Sequence, residues 1–175
     1  PYGAYGDKSE RGAFRSIGIN RNDFVAILQM RPDHMDGGTL EWVAYASNAF
    51  NVAVPFYADV TKTPAYLSGT TEKVSTDNFY WVSRMIAAMA DASYHKSVFH
   101  IERYQEKVMA KGHELIGKYD ALLENEQDEE KRMALKEAAN EEIAEMLQAE
   151  ASVTLDKVLF ELSSQMKNAY SRSDA

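Results

Sequence analysis

Residues 40–57 read "LEWVAYASNAFNVAVPFY", two apolar runs on either side of a short polar interruption. The first run, 40–46, has the content of a β-strand, and the second, 51–57, reads as another. Asn48 and Asn51 are three apart, so a straight strand would point them to opposite faces. Pro55 cannot donate a ladder hydrogen bond and belongs at an edge, a bulge or a strand end. A bulge at "SNAFN" (47–51) would turn one of the two amides to one side, with Pro55 ending the pairing.

Upstream, "SIGIN" (16–20) and "DFVAILQM" (23–30) are two more β-rich runs, parted by Arg21 and Asn22 in the manner of a hairpin. In the second run Phe24, Ala26, Leu28 and Met30 alternate with Val25 and Ile27. Both faces are apolar, so this strand is expected to be covered on both sides. Two candidate face sets follow: Phe24, Leu28 and Trp42, or Val25, Ile27 and Val43. Pro32 and the Gly37-Gly38 pair mark a loop over 31–39, and Pro64 and Gly69 mark another over 59–74.

Beyond residue 75 the period changes from two to that of a helix. Ser75, Thr76 and Asp77 offer N-caps before "NFYWVSRMIAAMADASY", and no proline follows residue 64. Ile101, Tyr104, Val108, Leu115, Tyr119 and Leu122 form one amphipathic stripe. Leu135, Ile143, Met146, Leu147, Leu155, Leu159, Leu162, Met166 and Ala169 form a second. The polar "ENEQDEE" (124–130) separates them. The expectation is an α+β chain: a sheet-forming part over 1–75 and a helical part over 76–175. Helices are placed near 76–93, 97–124 and 129–170, the last two as an antiparallel hairpin.

Composition narrows the function. The chain has 175 residues, 45% hydrophobic and 26% charged, with a net charge of -8. Residues 1–75 carry 7 basic against 8 acidic side chains, and residues 76–175 carry 12 against 19. An acidic chain without a basic stripe is a poor partner for nucleic acid or for an anionic membrane surface. No apolar run reaches the roughly 18 residues of a membrane span, and no signal peptide is visible. Cysteine is absent, which is compatible with a cytoplasmic setting and leaves no thiol nucleophile in this sequence. His95 and His100 stand about 140° apart on a helix and cannot share a metal, while His34 and His113 lie apart from both. "HELIGKYD" (113–120) lacks the second histidine of a zinc-protease helix. No metal site is expected.

Four stretches carry a likeness in order and wording: "IGINRNDFVAILQMRPD", "LEWVAYASNAFNVAVPFYADV", "TPAYLSG" and "STDNFYWVSRMIAAMAD". Over about residues 15–120 the sequence resembles the C-terminal part of dipeptidase A and secernin-type enzymes, the cysteine N-terminal-nucleophile hydrolases of peptidase family C69. The resemblance implies a partial αββα sandwich and a thiol-dependent dipeptidase without cofactor. Its nucleophile, a Cys at the mature N-terminus with its own α-amino group as base, would lie upstream of Pro1. No catalytic residue is therefore carried over onto this chain. A dipeptide substrate and the upstream part of the same polypeptide are the implied partners, and exposed sheet surface adds self-association into a homo-oligomer.

Three residues are candidates for substrate contact: Asn48 and Asn51 at the bulge, and Arg21 in the preceding turn. Each has a plainer reading, an amide satisfying backbone or a solvated turn. Two other readings of the whole stand beside the hydrolase: a non-enzymatic interaction module working through its acidic helical hairpin, and a paralogue that has lost its nucleophile.

Overall fold

The computed structural model describes residues 22–34, 38–47 and 49–166. The expected strand over 16–20 lies outside them. Within them the chain is α+β, a three-stranded antiparallel sheet with four helices. Strand β1 (Phe24–Gln29) pairs with β2 (Leu40–Tyr45), which pairs with β3 (Val54–Tyr57). A single 3-10 turn over Pro32–His34 opens the β1–β2 connection. The helices are α1 (Ala65–Ser68), α2 (Phe79–Ala92), α3 (Tyr94–Leu123) and α4 (Glu129–Ser163).

The register corrects the expected face sets. Ile27 stands opposite Trp42, and Ala26 opposite Val43, so Trp42 shares its face with Val25 and Ile27. Val43 shares the other face with Phe24 and Leu28. Sequence alternation gives the two sets of one strand, but only the pairing decides which set meets which. The Trp42 face packs on α3: the Trp42 and His113 rings lie 5.1 Å apart, and Gly112 abuts Pro55. A Cβ on Gly112 would meet the Pro55 ring at 3.0 Å, so the glycine sets how closely α3 approaches the sheet. The other face meets α2, where Tyr45 packs at 5.2 Å on Phe79, whose side chain is fully buried.

Pro55 does not end the pairing. It sits inside β3 opposite Trp42. Its neighbour in parity, Tyr57, sends its own N–H and C=O away from β2, to the side chain of Asn140 on α4. Tyr57 N donates to Asn140 Oδ1 at 2.8 Å, and Asn140 Nδ2 donates to Tyr57 O at 3.0 Å. The nitrogen of Pro55 therefore faces the outer edge of β3, where no ladder bond is lost. One turn before Asn140, Lys136 pairs with Asp59, so α4 closes this edge at two successive turns.

β1 is not covered on both sides. Phe24, Ile27, Leu28 and Met30 are 53%, 55%, 70% and 83% exposed. The helices flank β2 and β3, and β1 projects beyond them.

The helices follow local chemistry. Asn78 caps α2, accepting from Trp81 N at 3.2 Å, while Ser75 and Asp77 bond to each other just before it. Asp128 caps α4, accepting from Lys131 N, and Glu129 and Glu130 complement the positive end of the helix dipole. The α3–α4 seam runs through Ile101, Tyr104, Val108, Ile116 and Leu123 against Ala139, Ile143, Leu147, Ala151 and Val158. Leu122 and Leu159, placed in the stripes by sequence, are about half exposed. Their neighbours Leu123 and Val158 are inside. No helix among the described residues is long and apolar enough to cross a membrane.

Candidate functional site

The segment after β2 is held in an unusual conformation. Ala46 is buried with φ 60°, a left-handed value that a residue with a Cβ adopts at a cost of about 1 kcal/mol or more. Its N–H is fixed by Asp23 O at 2.9 Å, at the start of β1. Ser47 O then accepts from both Phe50 N and Asn51 Nδ2, each at 3.0 Å. Asn51 O accepts from Gln105 Nε2 of α3 at 2.8 Å. These bonds draw Ser47, Phe50 and Asn51 together in a turn tied to α3.

Against this turn stands one face of α2. Between them opens a cleft of about 510 Å³, walled by Asp23, Ala46, Ser47 and Phe50 on one side and by Arg84, Ala87, Ala88 and Asp91 on the other. Arg84 Nη1 donates to Asp23 Oδ1 at 2.6 Å and to Tyr80 Oη at 3.2 Å, with the guanidinium over the Tyr80 ring. Its Nε and Nη2 have no partner among the described residues. Asp91, in the last turn of α2, has none either.

The three sequence candidates fall differently. Arg21 and Asn48 lie outside the described residues, although their chain neighbours Asn22 and Ser47 line the cleft. Asn51 is buried and clasps the turn through Nδ2, while its Oδ1 finds no hydrogen-bond partner among the described residues. It shapes the cleft wall from behind. Sequence reasoning singles out neither Arg84 nor Asp91. The available signal is the spacing Arg84, Ala87, Ala88, Asp91, which is one face of a helix bearing a charge at each end.

A second polar cluster serves the fold. Arg31 grips Asp120 through both terminal nitrogens, at 2.6 and 3.0 Å, and donates through Nε to Gly38 O at 2.6 Å. Tyr57 Oη donates to Asp120 Oδ1 at 2.7 Å. Burial, reinforced by that bond to Asp120, pushes the Tyr57 hydroxyl far above its ordinary value, so it stays a donor. This cluster ties α3 to the sheet. Among the described residues no three His, Asp or Glu side chains come together in a way that could hold a metal ion.

The signature of peptidase family C69 matches residues 1–107. The chain belongs to this family. Similarity to individual family proteins extends along nearly its whole length. The C69 chain is 40% identical to a "Probable dipeptidase A" of Streptococcus pyogenes serotype M18, covering 99% of this chain and 36% of the relative. It is 36% identical to a "Dipeptidase" of Bifidobacterium longum, over 99% of this chain and 40% of the relative. With a "Dipeptidase A" of Lactobacillus helveticus it shares 33% identity over 71% of the chain and 27% of the relative. The C69 chain thus spans well under half the length of these relatives.

Proposed function

We propose that the chain is the C-terminal part of a cysteine-type dipeptidase whose nucleophile lies upstream. The observation that carries this reading is the match of 99% of the chain to dipeptidases of which it covers only 36% and 40%, together with the absence of cysteine from the sequence. The uncovered apolar β1 supports it, since a strand of this kind gains by completing a larger, layered αββα core. In the whole enzyme an N-terminal Cys thiolate would attack the dipeptide carbonyl, its α-amino group taking the thiol proton. The amide C–N bond would then break, the α-ammonium returning the proton to the departing amino acid, and water would hydrolyse the thioester to release the other amino acid and regenerate the thiol. The part described here supplies sheet, helical support and the cleft beside the 46–51 turn, including the Asn51 clasp. A cytoplasmic location accords with the proposed thiol chemistry.

The interaction-module reading has less behind it, because most large apolar side chains of the hairpin stripes, Ile101, Tyr104, Val108, Ile143 and Leu147 among them, are buried in the core. Two measurements test the proposal. The purified chain alone, given free dipeptides, should release no amine. The same chain joined to its upstream polypeptide should hydrolyse them and lose activity on thiol alkylation. Turnover by the isolated chain, or alkylation-resistant turnover by the whole, contradicts it.

A further inference from the structure

The face of α2 that walls the cleft carries Arg84, Ala87, Ala88 and Asp91 at i, i+3, i+4 and i+7. Two helical turns separate the charged residues by about 10.5 Å along the axis. The alanines between them leave the floor of the cleft low and apolar. Arg84 is already paired with Asp23 and Tyr80, but through one nitrogen only, and Asp91 has no partner among the described residues. Asp91 sits at the negative end of the helix dipole, where a carboxylate is unfavourable, and has no compensating cation among the described residues. Arg84 uses one terminal nitrogen for Asp23 and Tyr80, leaving the other and Nε with hydrogens to donate.

A zwitterion with its charges a fixed distance apart complements this arrangement. An extended dipeptide spans about 7 Å. Adding a hydrogen bond of about 3 Å at each end puts its partners about 13 Å apart. Arg84 leans back over Tyr80, one turn toward the helix start, which sets its guanidinium further from Asp91 than the backbone rise alone, in the direction of that span. Each further residue adds about 3.5 Å and carries one terminus past its partner.

We infer that this face of α2 is a length gauge for the substrate, Arg84 binding the free C-terminal carboxylate of a dipeptide and Asp91 its free α-ammonium group. The assignment rests on the dipeptidase reading and adds to it the groups that recognise the two free ends.

The test uses the whole polypeptide, with four substrates: a free dipeptide, its C-terminal amide, its N-acetyl derivative and the tripeptide extended by one residue. Arg84→Gln should raise KM for the free dipeptide about tenfold or more and leave kcat/KM for the amide unchanged. Asp91→Asn should do the same for the ammonium end, leaving the N-acetyl derivative unaffected. Either variant should narrow the preference for dipeptide over tripeptide, and Arg84→Lys should restore part of the loss. Asp23→Asn separates recognition from a mere tether, because it breaks the same ion pair while keeping the cation. If Arg84 only tethers β1 to α2, Asp23→Asn and Arg84→Gln will behave alike on every substrate, and the inference falls. It falls equally if an active enzyme loses nothing, or loses free and blocked substrates together. A wild-type polypeptide that hydrolyses no dipeptide overturns the parent reading, and the gauge with it.

Discussion

Asn140 shows how much a single side chain can decide. Its amide supplies one acceptor and one donor to the backbone of Tyr57, standing in for a neighbouring strand. Replacing it by Ala leaves a buried N–H and C=O unpaired, each costing about 1–3 kcal/mol. Asn140→Ala is therefore expected to destabilise the protein by about 2–4 kcal/mol, measured by denaturant unfolding. A loss under about 1 kcal/mol would mean that the edge of β3 finds other partners. Nothing in the sequence marks this asparagine, which sits mid-helix in a polar run. Pro55 was legible as an edge residue, but not that it lies inside the strand, because the side of a strand on which each N–H points depends on pairing. Arg84 and Asp91 passed as ordinary helix charges for a related reason: the turn that completes the cleft is remote from them in sequence.

At the scale of elements, the change of period near residue 75 carries the α+β reading, and the two long helices follow from their stripes. Stripes weighted toward large residues missed the small ones, Ala139 and Ala151, which are fully buried. On that seam Glu150 is nearly buried and meets Lys107 at 3.0 Å and Lys111 at 2.6 Å. Burial alone would push its carboxyl up, but the bonds and charges of Lys111 and Lys107 together outweigh burial and hold it below the ordinary carboxylate range. The unfolded chain then binds a proton more readily than the folded one, so this contribution is complete above the ordinary carboxylate range and disappears as pH falls through the lowered folded value. Acid titration of stability should show a loss below about pH 4.5 that is shallower in Glu150→Gln. An unchanged slope would remove the ion pair from the acid response.

At the scale of the whole molecule, the exposed β1 surface is expected to govern behaviour in solution. Leaving several large apolar side chains in water forfeits about 1.5–3 kcal/mol for each that could have been fully buried. The isolated chain is expected to associate through this surface, with light scattering across a dilution series showing a concentration-dependent mass. Leu28→Lys, at an exposed position, should shift that mass toward the monomer. A strict monomer at high concentration would show that β1 is tolerated as it stands. The closure of β3 by Asn140 and Lys136 has a bearing on how far such association can go. A sheet open at both borders can accept a copy on each and grow without limit, as fibres do. Here α4 stoppers one border, leaving β1 as the outer strand of the described sheet. Counted over the described residues its valence for strand addition is one: two copies meeting β1 to β1 would use up that border on each, and the assembly would terminate as a pair.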